Sequence, residues 1–274
     1  MIIVAYSSKD VAGTNIAKQV LSHFPFAKTD MVFQDNPVYF AQINGKNINL
    51  VTLKDETVYA QHLPIHFANP ELVVFLSRHS SQSGKPTLSV HAPGNFGNAE
   101  LGGLPRQVSV APAKAMRDAL KSLARLKTEL NLDYEVSYEC THHGPSLNIP
   151  TMFVELGSSP LQWSDFRAAE AVARATTNAI ANFGFSEEKA VLGIGGTHYN
   201  QRFTKMALKN EAIFGHMIPK YAVAAVDAEI LRHCMERMLE TVTSAIIDWK
   251  GIKSDDKQRL LKVLGDVGLP FEKV

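Results

Sequence analysis

Runs such as Leu72–Ser77 and Met152–Leu156 are apolar at nearly every position, without the alternation of a strand that keeps one face in water. Such strands need cover on both faces, which points to a sheet sandwiched between other layers. Further β-rich runs span Ile2–Tyr6, Ile48–Leu53, Thr87–His91, Tyr134–Cys140, Ala190–Ile194 and Ala212–His216. Amphipathic stretches lie between them. Ala113–Leu130 follows Pro112 and repeats Met116, Leu120 and Leu123 at helical spacing. Asp165–Phe183 carries Phe166, Ala169, Val172, Ala173, Thr176 and Ile180 on one face, with Ser164 as N-cap and Gly184 past its end. Helices are also expected over Asp227–Trp249 and, behind Ser254, over Asp255–Leu264. Strands interleaved with helices predict a three-layer α/β/α fold with a largely parallel, mixed sheet. One domain is expected over residues 1–274, with 24–70, poor in helix signal, as an irregular excursion of it.

Composition narrows the classes. The chain has 274 residues, 45% hydrophobic and 20% charged, the balance of a soluble globular protein. Its apolar opening, Met1 to Tyr6, is too short for a membrane span and lacks the flanks of a signal peptide, so no membrane partner is expected. Two cysteines, Cys140 and Cys234, make no disulfide framework, and a reducing cytoplasm is the expected place. A net charge of +1 leaves any nucleic-acid binding to a local patch.

The histidines carry the chemistry. Four apolar strands run directly into histidine-bearing turns: Arg78-His79-Ser80-Ser81, His91-Ala92-Pro93-Gly94-Asn95, Thr141-His142-His143-Gly144-Pro145 and Thr197-His198-Tyr199. Ligands in open α/β sheets bind at the carboxyl ends of strands, so parallel neighbours would bring these histidines into one crevice. Phe214-Gly215-His216 can add a sixth. A lone histidine at a strand end is more often a hydrogen-bonded turn residue; the recurrence at one edge is what argues for a site. Strand-end geometry assigns metal binding to His142, His143, Glu155 and His198, since imidazole and carboxylate suit zinc. It assigns the reaction itself to His79, His91, Asn95 and His143. Adjacent His142 and His143 would face opposite ways on an extended strand, so a turn at Gly144-Pro145 is required. Cys140 reads as core.

Ser80, Ser81, Ser83, Gly84 and Lys85 resemble a phosphate loop but fail as a Walker motif, with His79 and Pro86 where glycine and Ser/Thr belong. They remain candidates for an anion-binding nest together with Arg78. Gly195 and Gly196 are candidates for close approach to a ligand. Lys114, Arg117, Lys121 and Arg125 line one face of a helix and can track a phosphate backbone, although a solvated face is the simpler reading.

Ser77-x-His79-Ser80-Ser81-x-Ser83-Gly84-x-Pro86-Thr87-Leu88, His91-x-Pro93-Gly94-Asn95, Thr141-His142-His143-Gly144-Pro145, Phe153-Val154-Glu155-Leu156-Gly157-Ser158-Ser159 and Gly193-Ile194-Gly195-Gly196-x-His198-Tyr199 together resemble the archaeal and plant type of D-aminoacyl-tRNA deacylase. The resemblance runs from Ala12-Gly13-x-Asn15 to about Ile218. It implies a phosphorylase/hydrolase-like fold, two zinc ions per subunit, and hydrolysis of the ester joining a D-amino acid to tRNA as chiral proofreading. A monomer or weak homo-oligomer is expected. Two other readings stand beside it: a zinc-dependent amidase or peptidase acting on small substrates, and a non-catalytic RNA-binding module.

Overall fold

The computed structural model describes residues 1–274. Its strands are β1 (Ile2–Ser7), β2 (Ala27–Phe33), β3 (Asn36–Ile43), β4 (Lys46–Leu53), β5 (Leu72–Arg78), β6 (Thr87–His91), β7 (Glu135–Tyr138), β8 (Thr151–Gly157), β9 (Ala190–Gly195), β10 (Phe214–Ile218), β11 (Val242–Asp248) and β12 (Phe271–Lys273). Its helices are α1 (Val11–His23), α2 (Ala113–Glu129), α3 (Pro160–Trp163), α4 (Phe166–Ala181), α5 (Gln201–Leu208), α6 (Ala228–Glu236) and α7 (Ser254–Asp266). No helix is long and apolar enough to cross a membrane.

The strands form an eight-stranded sheet of order β2-β3-β4-β1-β5-β8-β6-β7 and a four-stranded sheet of order β10-β9-β11-β12. The small sheet is parallel throughout. The large one is mixed: β4, β1, β5 and β8 run parallel, β6 pairs antiparallel with β8, and β7 follows β6. Helices α1, α2 and α4 bury Ile16, Met116, Leu120 and Val172 against Val4, Val74, Leu88 and Val154 on one face. The opposite face is covered by loops and 3-10 turns, where Leu63, Phe67 and Leu147 meet Ile3, Phe75 and Phe153. The small sheet shares Phe214, Met217 and Ile246 with the first core and packs Leu192, Ile194 and Ile247 against α6 and α7 on its other side.

Three expectations change. Residues 24–70 are not irregular: β2, β3 and β4 form an antiparallel meander before two short 3-10 turns. The helix expected over Asp227–Trp249 ends at Glu236, and Val242–Asp248 is a strand between β9 and β12. Helix α4 is capped by Asp165, whose carboxylate accepts from the Arg167 and Ala168 backbone N–H groups, rather than by Ser164, and it ends before Gly184. Helix α2 takes its cap from a distance: the Glu240 carboxylate accepts from the N–H groups of Ala113 and Lys114, each at 2.9 Å.

Candidate active site

The site lies on the loop-covered face of the large sheet, where that sheet meets the loop after β9. In the register of β5, β8 and β6, Ser77 sits opposite Glu155 and His91 opposite Phe153. Side chains directly opposite one another share a face, so Glu155, Phe153 and His91 all point away from helices α1, α2 and α4. The His91 ring stacks on Phe153 with centroids 5.0 Å apart, and Phe153 stacks on Phe75 at 4.8 Å. Because β6 runs against β8, the histidines do not gather at one carboxyl edge of parallel neighbours, as expected, but over a sheet face approached from both directions.

Beyond β7 the chain passes between the two sheets. Glu139 bridges to Tyr199 of the post-β9 loop, and the Cys140 N–H donates to the His198 carbonyl. His143 adopts φ +41°, so the backbone turns there and both adjacent histidines face the site, their ring centroids 4.2 Å apart. His142 also approaches His91 at 4.3 Å and His198 at 4.4 Å. His79, His91, His142, His143, Glu155 and His198 are thus brought together. Five of them, without His91, line one open cavity of about 380 Å³ with Arg78 and Ser80.

Local contacts fix the tautomers. Nδ1 of His142 lies 2.8 Å from the Cys140 carbonyl, Nδ1 of His143 2.7 Å from that of Gly144, and Nδ1 of His91 3.3 Å from that of Ala92. A carbonyl only accepts, so each Nδ1 carries the hydrogen; Nε2 of His142 and His143 is left as the donor atom for a ligand, while Nε2 of His91 faces the Glu155 carboxylate at 3.7 Å. His216 differs. Its Nδ1 meets Thr141 Oγ1 at 3.1 Å and its Nε2 the Ser109 carbonyl at 3.0 Å, so it stands behind the site as a support.

Glu139, fully buried, is the group that sequence reading passed over. Its Oε2 accepts from His198 Nε2 at 2.8 Å and lies 3.6 Å from His142 Nε2, while Oε1 lies 3.0 Å from His79 Nδ1. A second glutamate in the run Tyr134–Cys140, three places before His142, was the available signal. Burial opposes ionisation of Glu139, but His198 and His79 overcome it and hold the carboxyl well below the usual range. Burial likewise opposes charge on His79, yet Glu139 and Glu155 push its pKa up to about 11. Desolvation, with His91 as a neighbouring charge, brings His143 down to about 4, and His142 is lowered for the same reasons. His142 and His143 are therefore neutral, as ligation requires.

The donor chemistry fits a divalent cation. Three compact groups exist: His91, His142 and His143; Glu139, His142 and His198; and His79, Glu139 and Glu155, with ligand atoms within 4.8 Å of one another in each. His91 Nε2 is buried without a hydrogen-bond partner, which is rare enough to ask for one. The expected set of His142, His143, Glu155 and His198 is divided among these groups.

Other candidates fall differently. Asn95 donates to the carbonyls of Gly102 at 3.0 Å and Leu104 at 3.3 Å, tying down a loop beside the imidazoles. The loop after His79 fills its own nest: the N–H of Ser81 binds Ser158 O, that of Ser83 binds Ser81 Oγ, that of Gly84 binds Ser81 O and that of Lys85 binds Ser83 Oγ. Gly195 and Gly196, at φ +98° and +78°, admit close approach by protein: a Cβ would meet the Asp248 carbonyl at 2.8 Å in one and the Asn200 amide at 2.5 Å in the other. On α2, Arg117 is only 12% exposed and forms a two-pronged pair with Glu188, both contacts at 2.8 Å. Lys114 pairs with Asp118, Lys121 with Asn210 and Arg125 with Glu129. The whole row belongs to a helix across the sheet from His91 and Glu155.

His79 is held from behind. Asp10 accepts from the Arg78 N–H at 2.7 Å, and the Trp163 indole donates to the His79 carbonyl at 2.8 Å. Asn15 in turn donates to the Trp163 carbonyl. Gly157 leaves the room that His79 occupies, since a Cβ there would come within 2.6 Å of the His79 Cβ. The N-terminal Ala12-Gly13-x-Asn15 motif thus supports the site from the far side of the sheet.

An α/β chain that buries imidazoles and carboxylates together at the floor of an open cavity is built as an enzyme of acid–base or metal-assisted chemistry. The sequence profile of D-aminoacyl-tRNA deacylase matches residues 66–272. The chain is 35% identical over 279 residues to the D-aminoacyl-tRNA deacylase of Pyrococcus abyssi, covering all of both chains, and 36% identical to that of Thermococcus kodakarensis, covering 99% of each. It belongs to the D-aminoacyl-tRNA deacylase family. It also superposes on the crystal structure of a conserved protein of unknown function, AF0625, with a TM-score of 0.88 and 30% identity, over 100% of this chain and 95% of that one.

Proposed function

We propose that this protein hydrolyses the ester that joins a D-amino acid to tRNA, releasing the free D-amino acid and the tRNA. The observation that carries the reading is the pair of neutral imidazoles, His142 and His143, with Nδ1 anchored on carbonyls and Nε2 turned toward His91, in a chain of this family. Neither an amidase acting on small substrates nor a silent RNA-binding module is favoured by that membership. With a tRNA substrate and two free, buried cysteines, the cytoplasm is the fitting place.

His91, His142 and His143 would hold one zinc ion, and His79, Glu139 and Glu155 would hold a second, because these two groups share no residue. Zinc bound there supplies Lewis acidity, polarising the ester carbonyl and lowering the pKa of water toward about 7. His198 belongs to neither group. With Nε2 donating to Glu139, its Nδ1, 3.4 Å from the Tyr221 hydroxyl, is the atom that can accept a proton from the attacking water. Arg78, lining the cavity, and Lys85, exposed on the loop leaving His79, are the cations best placed for phosphates of the acceptor end. The test is release of free amino acid from D- and L-tyrosyl-tRNA by the zinc-loaded protein. Selective release from the D ester is expected; no release from it would reject the reading.

A further inference from the structure

The cavity over the imidazoles contains one carboxylate that they do not engage. Glu155 is taken up by His79 and His91, at 3.6 and 3.7 Å. Glu56, on the opposite wall, accepts a hydrogen bond from Arg78 at 3.0 Å through Oε1, and no protein group bonds its Oε2. Both side chains are about 30% exposed, so the pair faces the cavity water rather than the core. Glu56 and Tyr59 also line a second, smaller cavity of about 190 Å³, walled by Phe33, Leu53 and Leu63. A third cavity, of about 400 Å³, opens on the other side of His142 and His143 and contains Phe96 and Tyr221.

We infer that Glu56 receives the α-ammonium of the aminoacyl group and sets the stereochemical preference of the site; the inference rests on the deacylase reading. An aminoacyl ester diverges from its scissile carbonyl into two unlike halves. One is a cationic α-amino group with a side chain, and the other is a ribose with a base. The imidazole pair has a cavity on each side. Only the first holds a half-buried carboxylate oriented by a neighbouring cation, Arg78, and it adjoins a hollow of mixed apolar and polar walls. An α-amino group is protonated at neutral pH and below. A carboxylate with one oxygen on Arg78 and the other open offers it a charge-assisted hydrogen bond in a fixed direction. The carbonyl over the imidazoles, the ammonium on Glu56 and the side chain toward the Phe33–Leu53–Leu63 hollow make three attachments. Inverting the α-carbon exchanges side chain and hydrogen, so an L residue that keeps its ammonium on Glu56 turns its side chain out of the hollow.

The test compares the zinc-loaded parent, Glu56→Gln and Glu100→Gln on D-tyrosyl-tRNA, L-tyrosyl-tRNA and N-acetyl-D-tyrosyl-tRNA. Glu100 is the exposed carboxylate at the rim of the third cavity. Affinity for the N-acetyl ester is read as KM or, if it turns over slowly, as its inhibition constant. Glu56→Gln is expected to raise KM for the D ester about tenfold or more, the scale of a lost hydrogen bond to a charged group. It should also narrow the preference for D over L and leave the already weaker N-acetyl ester unchanged. Equal effects on the free and acetylated esters, no effect on either, or an ammonium-specific loss in Glu100→Gln instead would overturn the assignment. A parent that hydrolyses no D ester would instead reject the activity on which it rests.

Discussion

Glu139 and His198 come from segments attached to different sheets, yet Glu139 Oε2 and His198 Nε2 meet at 2.8 Å in the interior of the site. The contact makes the catalytic geometry depend on how the two sheets are docked. Glu139→Gln keeps the shape but removes the charge that holds His198 and His79. Catalytic turnover should fall about 10–100-fold, the usual cost of losing a group that orients or binds a metal ligand. Removing one partner of a buried charge cluster should also destabilise the metal-free fold by about 3–5 kcal/mol. Steady-state rates and chemical denaturation check both; a variant with parental turnover would remove Glu139 from the site.

Two histidines separate a ligand from a support. His143 has a free Nε2 beside His91 and His142, whereas both nitrogens of His216 are engaged by Thr141 and Ser109. Exhaustive chelation should abolish activity and zinc should restore it. His143→Ala should lower bound zinc and turnover together. His216→Ala should retain zinc while lowering Tm, because it leaves the Thr141 hydroxyl without its acceptor and the Ser109 carbonyl without its donor. Elemental analysis alongside thermal melts distinguishes them. Parental zinc content in His143→Ala would return that residue to a purely catalytic role.

His79 gives a pH dependence of known sign. In the metal-free fold Glu139 and Glu155, against the effect of burial, raise its pKa from 6.5 to about 11. Its charged form therefore stabilises the fold fully below the unfolded value, and that contribution is lost as pH rises toward the folded one. The Tm difference between metal-free parent and His79→Gln should shrink steadily from about pH 7 to about pH 10. A difference constant across that range would mean that His79 is neutral in the folded chain.

How far the sequence reveals this arrangement depends on the kind of information involved. The central strands were legible because Val73–Leu76 is apolar throughout and Met152–Leu156 is apolar except at Glu155, and burial on both faces leaves that mark. Strand direction was not, since the pattern within Thr87–His91 is the same whichever way it pairs with β8. Val242, Ala245, Ile246 and Trp249 fall at helical spacing and suggested a helix, while β-branched Val242, Thr243, Ile246 and Ile247 favoured the strand that forms. Strand β2 is an edge, with most of Ala27–Val32 exposed, so it carries no amphipathic signal at all. The convergence of histidines was readable from strand ends, but their grouping depends on a turn at His143 and on a glutamate that looked like an ordinary strand residue.

The cationic row on α2 provides the last prediction. As a sequence pattern, Lys114, Arg117, Lys121 and Arg125 suggested a phosphate track. In the fold, Arg117 is largely enclosed with Glu188, Lys121 is bonded to Asn210, and the helix lies across the sheet from the imidazoles. Replacing Arg117 and Lys121 together with alanine should lower stability by about 1–2 kcal/mol through loss of the charge-assisted pair. The salt dependence of tRNA affinity should stay that of the parent, because each phosphate contact adds about 0.9 to the log–log slope and these two residues would contribute none. Replacing Arg78, which lines the catalytic cavity, should flatten that slope by about one unit. If the α2 pair flattens it by about two units and Arg78 by none, the acceptor end approaches over α2, and the charged face of that helix is the RNA track after all.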